Sequence, residues 1–454
     1  MAWLWIAFVT IIWLLLKYGI RNQNFFLDRG VKFHDPLPFV GNSLRFFLNK
    51  ENMKSHILKL CKKFPKEKIF GQFDAMKPIL VVQDPELLKT LTIKEFDHFT
   101  DHQPVGVRDI DPLFSHSLIM LEGNKWREMR SNLSPAFTGS KMRLMSALIV
   151  EICEQMVDYL KTEAKEKGPQ AYEMKELFSR VATDIIGTCA FGIKVDSLKE
   201  RENKFFVTAS KMFNTTSIKL AFKLIGIRIF PSVMKLCGIK IFDEIYKGFL
   251  KDLVLSNMKT RQEKNIVRPD MINLLIEAQK GTLEQITTPE KDSVGFATVE
   301  EIQSGPIAKK TSWTDDEIVS QCFIFFLAGF DTSSTVLSFA TYELAKSPEI
   351  QEKLYEEAKV FHDELNGKPL KYETLQKMKY LDMVVSEALR MWPPAPATDR
   401  SRFALMEVKA MIFYLIVNFH FDLSDKTDVP MILAASFVGL KAKNGIWVKF
   451  RPRK

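Results

Sequence analysis

Residues 314–346 constrain the fold of this chain more than any other stretch. Thr314-Asp-Asp-Glu317 has Thr-x-x-Glu spacing, the signature of a capping box, in which a hydroxyl and a carboxylate satisfy backbone N–H groups at a helix start. The apolar run Ile318 to Phe330 follows at once. The pattern predicts a long helix with a sharply defined beginning.

Helical periodicity dominates elsewhere. Residues 141–166, 172–192, 203–224, 242–279, 348–363 and 382–392 are expected to be helical, some with breaks. Strand-like runs are few. Residues 67–83 hold one candidate pair, around Ile69-Phe70 and Ile79-Leu-Val-Val82. The last fifteen residues hold another, with Lys443-Asn-Gly445 as a turn before Ile446-Trp-Val-Lys-Phe450. Residues 281–312 are polar and without period, and read as a surface loop. The expected class is mainly α with small β-sheets.

The first sixteen residues contain fifteen apolar ones and Thr10, and Lys17 and Arg21 follow. At ~1.5 Å rise per residue this run reaches roughly 24 Å, slightly short of a bilayer until Tyr18, Gly19 and Ile20 extend it. Trp3, Trp5 and Trp13 suit membrane interfaces, and the basic residues after the run leave the rest of the chain in the cytosol. A cleaved signal peptide fits less well, because a positive n-region and a small-x-small cleavage site are missing. Residues 1–20 are therefore expected to be a membrane anchor. Residues 21–42 form a hinge, since the prolines of Pro36-Leu-Pro-Phe-Val-Gly-Asn42 stop the anchor helix from running on. Residues 225–241 are apolar with interspersed cations, and fit either a core segment or a surface that dips into lipid.

With 46% apolar and 26% charged residues and no long Gly/Ser/Pro linker, residues 43–454 are expected to form a single globular domain. The net charge of +9 favours acidic partners and anionic membrane surfaces. Nucleic-acid binding is not expected, because Lys and Arg are spread along the chain and a Cys/His finger is missing. Cys61, Cys153, Cys189, Cys237 and Cys322 are odd in number and far apart, which argues against a disulfide framework and for a reducing compartment.

Four strings bear on chemistry. Ala328-Gly329 would expose helix backbone to a small ligand, Thr332 can bond back to the carbonyl four residues earlier, and Asp331 supplies an ionisable group beside it. Ordinary helix packing would account for the same residues. Glu387 and Arg390 share a helix face, and taken alone they read as a surface ion pair. They are followed by Met391-Trp-Pro-Pro394 and then by Arg400. Trp126 and Arg130, at i and i+4, also lie on one face. His98 and His102 have that spacing too, but lack the Glu of H-E-x-x-H, so a metal site is not expected. Cys189 reads as a small buried hydrophobe.

Together, Ala-Gly-Phe-Asp-Thr at 328–332, Glu-x-x-Arg-x-x-Pro-Pro at 387–394 and Trp-x-x-x-Arg at 126–130, with Leu133-Ser-Pro-Ala-Phe-Thr138, resemble the microsomal cytochrome P-450 family of haem-thiolate monooxygenases. The wording is most similar to insect detoxifying members. The resemblance implies the P-450 fold behind a membrane anchor in the endoplasmic reticulum, with the domain facing the cytosol. It implies haem b as cofactor, NADPH-cytochrome P-450 reductase as electron donor, and lipophilic small molecules as substrates. It assigns Asp331 and Thr332 to oxygen and proton handling, with Ala328 and Gly329 beside the oxygen. Trp126, Arg130 and Arg400 would contact haem propionates. Glu387 and Arg390 would form a buried lock with a downstream arginine.

The resemblance breaks at one point. After Arg400 the chain goes directly to Ser401-Arg-Phe-Ala-Leu-Met-Glu-Val-Lys409, a string similar to the family helix that begins just after Cys-x-Gly. The several dozen residues that the family places between, including the axial cysteine, are absent. The fold is therefore expected to be incomplete between helices K and L. An iron without its thiolate ligand loses the electron push that favours O–O cleavage. The alternative to a working monooxygenase is a non-catalytic shell, the product of a skipped exon, an alternative transcript or a faulty gene model.

Overall fold

The computed structural model describes residues 2–48, 50–102, 111–212, 218–242, 244–280, 313–394, 402–436 and 439–453. The expected loop at 281–312, Arg400 and the Arg400–Ser401 junction lie outside the described residues. The chain is mainly helical with two small antiparallel sheets. It divides into two compact units.

The smaller unit comprises Met1–Asp111, Thr215–Ile241 and Ala434–Val438. It begins with α1 (Ala2–Ile20), whose side chains are exposed almost throughout, Trp3 at 83%. Nineteen residues at ~1.5 Å each give about 28 Å, enough to cross most of a bilayer's hydrocarbon. Gly19 is buried against Phe39, where a Cβ would come within 2.8 Å of the ring. The proline-rich hinge is clamped to the hairpin of β1 (Ile69–Asp74) and β2 (Lys77–Val82). Asn42 exchanges hydrogen bonds with Phe73: its N–H donates to the Phe73 carbonyl at 2.9 Å, and its Oδ1 accepts from the Phe73 N–H at 2.7 Å. Gly41 sits at φ +60 with its missing Cβ 2.2 Å from the Phe73 carbonyl, so only glycine fits there. Residues 225–241 fall into the end of α2 (Ile218–Ile229) and α3 (Pro231–Leu236). Phe230, Val233 and Leu236 are exposed, while Ile227 and Ile229 are buried and Arg228 pairs with Asp74. The stretch thus has a buried side, as a core segment would, and an exposed apolar side.

The larger unit is built around α7 (Asp315–Lys346), preceded in the chain by α4 (Gly123–Leu133), α5 (Gly139–Lys167) and α6 (Met174–Cys189). The predicted capping box is formed: Thr314 Oγ1 accepts from the Glu317 N–H at 3.3 Å, and Glu317 Oε2 accepts from the Thr314 N–H at 2.8 Å. By length and composition α7 could also span a membrane, but most of it is buried in this unit, as a core helix is. α8 (Pro348–Leu365), α9 (Lys379–Met391) and α10 (Arg402–Asn418) pack against it. The second sheet has the order β3 (Ala171–Glu173), β5 (Trp447–Pro452), β4 (Phe419–Leu423), all antiparallel. Of these only β5 was expected from sequence. Gln351, fully buried, joins helix to sheet: its amide donates to the carbonyls of Leu344 and Phe421 at 3.0 Å each, and its Oε1 accepts from the Phe421 N–H at 2.8 Å.

One ion pair ties α9 to α10 inside the core. Lys409 Nζ lies 2.6 Å from Asp382 Oδ1, with both side chains at most 5% exposed. Breaking such a pair from one side leaves a bare charge in a low-dielectric interior, whereas removing both charges does not. Lys409→Met is expected to cost about 3–5 kcal/mol in urea denaturation, and the double variant Asp382→Leu, Lys409→Met to recover most of that loss.

Candidate functional site

The middle of α7 presents one open stripe. Ala328 is exposed, and Phe325, Asp331 and Thr332 are half-buried, while Gly329, Phe330, Ser333, Ser334 and Thr335 are buried. Positions 325, 328 and 332 follow helical i, i+3, i+7 spacing, so the stripe is one face of the helix. Thr332 Oγ1 donates to the Ala328 carbonyl at 2.5 Å, the back-bond its position predicts. Ala328 and Thr332 therefore meet on the accessible face.

Gly329 does something other than expose backbone. It faces α6, where a Cβ would lie 2.2 Å from Ile186 Cδ1. The absent side chain lets two core helices approach closely, which is the packing role a glycine in a helix can have. Asp331 is not a free acid beside Thr332. Lys175, on the first turn of α6, donates to Asp331 Oδ1 at 2.8 Å and to the Asp331 carbonyl at 2.9 Å. The same ammonium reaches Ser334 Oγ at 2.8 Å and Thr335 Oγ1 at 2.7 Å. Sequence reasoning missed Lys175, which lies 156 residues from its partner and outside any motif. It also missed Glu407, fully buried on α10, whose Oε2 accepts from Ser333 Oγ at 2.8 Å. Burial raises the Glu407 carboxyl to about 8, against the opposing pull of the Ser333 hydroxyl.

Trp126 and Arg130 are half-buried one turn apart on α4. The Arg130 carbonyl accepts from Ser134 Oγ at 2.9 Å at the start of the 3-10 turn Ser134–Phe137. Phe137 meets Phe325 of α7 with ring centroids 5.5 Å apart, so the end of α4 is coupled to the helix turn just before Ala328. Among the described residues the Arg130 guanidinium has no ion-pair partner. Glu387 and Arg390 form a bidentate pair, both contacts at 2.7 Å, with side chains 54% and 70% exposed. Arg390 holds the Glu387 carboxyl below its ordinary range. Here the pair lies on the outer face of α9, not in the interior position implied by the resemblance.

The chain matches the family model described as cytochrome P-450 over residues 31–401. Probable cytochrome P-450 9f2 of Drosophila melanogaster is 33% identical over 520 aligned positions, covering 97% of each chain. Cytochrome P-450 9e2 of Blattella germanica is 38% identical over 414 positions, covering 88% of this chain and 75% of that protein. Cytochrome P-450 6k1, also of Blattella germanica, is 33% identical over 394 positions, covering 85% and 71%.

The chain belongs to the cytochrome P-450 family. Members of this family are haem-dependent monooxygenases, and the apolar α1 fits microsomal anchoring. The alignment with the 9f2 protein is longer than the 454 residues of this chain, so it requires gaps opened within the chain. The P-450 family match itself ends at residue 401.

The cysteines of the chain do not fit the role of a haem-thiolate ligand. Cys153, Cys189 and Cys322 are fully buried, and burial pushes their thiols up, that of Cys322 to about 12, so they stay protonated. Cys61 is half-buried and its thiol is raised for the same reason. Cys237 caps the exposed end of α3 in the smaller unit. None of the five stands in a Phe-x-x-Gly-x-Arg-x-Cys-x-Gly setting.

The packing role of Gly329 can be measured. Gly329→Ala is expected to destabilise by about 1–3 kcal/mol, the range for forcing extra volume into a packed core. Added to an Ile186→Ala background, the same change should cost clearly less, because the space is then open. Urea midpoints of the four proteins test this, and equal costs in both backgrounds would reject the contact as the reason for the glycine.

Proposed function

We propose that this polypeptide is a membrane-attached P-450 shell that does not insert oxygen. The observation that carries the reading is the lack of any cysteine able to serve as the iron's thiolate. The family match ending at 401, and an alignment longer than the chain, support an internal deletion at 400/401. In this reading residues 1–20 anchor the protein in the endoplasmic reticulum membrane, residues 21–42 are the hinge, and residues 43–454 form the P-450-like domain in the cytosol.

A second reading concerns the same frame with the missing segment restored. It is a monooxygenase that uses NADPH and O₂, receives electrons from NADPH-cytochrome P-450 reductase, and oxidises lipophilic small molecules. The haem would supply oxygen activation. The accessible Ala328–Thr332 face supports this reading, with Thr332 presenting its hydroxyl oxygen there. Arg130, without an ion-pair partner among the described residues, and Trp126 would face the propionates together with Arg400. Glu387 and Arg390 would gain their third partner from the restored segment.

In the reduced carbon-monoxide difference spectrum, the purified chain is expected to lack the thiolate-type Soret band. A normal spectrum from this exact sequence would overturn the first reading. In cell fractionation, the intact chain is expected in the membrane pellet. Removal of residues 1–20 should weaken attachment without abolishing it, because Phe230, Val233 and Leu236 remain exposed among cations. An intact chain found in the soluble fraction would refute the anchor.

A further inference from the structure

We propose that the seating of α10 on α7 is controlled by a proton on Glu407: α10 docks with the carboxyl neutral, and its release gives one proton to solvent. This goes beyond the reading above and does not depend on it. Glu407 has no exposed surface, and Ser333 Oγ is its hydrogen-bond partner, on Oε2. Its Oε1 has no hydrogen-bond partner among the described residues. A neutral carboxyl tolerates that position far better than an anion, which in the interior needs a cation or several donors.

Among the described residues the surroundings offer no such compensation. From α5 and α6 the titratable neighbours are Cys153 and Cys189, both held protonated by burial, and an ionised Glu407 would push them up further. Glu154, next to Cys153, accepts from the Tyr414 hydroxyl at 2.9 Å. On α7 the nearest charged group in sequence is Asp331, which already holds Lys175. On α10 itself Lys409 is committed to Asp382 of α9. Burial raises the carboxyl to about 8, in agreement with this geometry.

The sign follows from linkage. A carboxyl whose docked form keeps its proton above the ordinary carboxylate range makes opening release a proton. Stability is then highest at low pH, falls as pH rises through the window between the free and docked values, and is flat above it. The test is hydrogen exchange by mass spectrometry on the full chain in detergent micelles from pH 5.5 to 9, corrected for intrinsic exchange, comparing α10 with α5. Protection of α10 relative to α5 is expected to fall by up to about tenfold per pH unit and to level off near pH 8. Glu407→Gln should remove the slope. Ser333→Ala, which takes away a bond favouring the ionised form, should extend the fall to higher pH than in the parent. A parent profile without slope, or a slope that survives in Glu407→Gln, overturns the proposal. If Glu407→Gln does not fold, Ser333→Ala decides: an unchanged end point overturns it, and an upward shift supports it.

Discussion

The larger unit depends on one constraint, the burial of a 32-residue helix that is apolar at its start and hydroxyl-rich at its centre. Each buried hydroxyl left unpartnered would cost about 1–3 kcal/mol, so the helix has to satisfy them where it lies. It does so largely from within: Ser320 donates to the Asp316 carbonyl, Ser338 to that of Ser334 and Thr341 to that of Leu337. At the run Thr332-Ser333-Ser334-Thr335, neighbouring helices join in. Lys175 of α6 serves Ser334 and Thr335, and Glu407 of α10 takes Ser333. Thr332 points to the open face and bonds back to Ala328. Four consecutive hydroxyls thus reach three directions, and they fix the rotation of α7 against both partners.

This arrangement assigns different work to residues that a short motif groups together. Ala328 and Thr332 face outward. Gly329 faces α6 and is used for close packing. Asp331 is the anionic end of a pin that reaches across from α6. The helix that carries Ala328–Thr332 is therefore held in place by packing and by polar contacts from its neighbours. Its neighbours on α6 and α10 hold α7 through Lys175, Ile186 and Glu407.

Much of the helical frame was legible in the sequence, because its signals are local. Thr314 and Glu317 are three residues apart, and α7, α8 and α9 begin or end within a few residues of their expected limits. The hairpin of β1 and β2 was legible too. The strands at Ala171–Glu173 and Phe419–Leu423 were not, being too short for alternation to show and stabilised by partners far along the chain. The site was legible in part. Thr332 and its carbonyl are four residues apart and were anticipated. Lys175 could not be, since nothing near Asp331 specifies a cation 156 positions earlier. Glu407 had one visible sign, a lone carboxylate in the otherwise apolar stretch Phe403–Phe413 broken also by Lys409, but its partner Ser333 is 74 residues away.

The order β3-β5-β4 has a consequence for synthesis on the ribosome. The middle strand is the last of the three to emerge, and neither outer strand contacts the other. The segment around residue 171 must therefore wait through the making of nearly three hundred residues with its strand partner still untranslated, and the stretch at 419–423 waits through about thirty. Gln351 offers the later strand an interim hold, since its side chain grips the Phe421 backbone on both sides without any sheet. A nascent chain stalled before residue 447 would keep its helical body but lack the seam that joins its early and late parts.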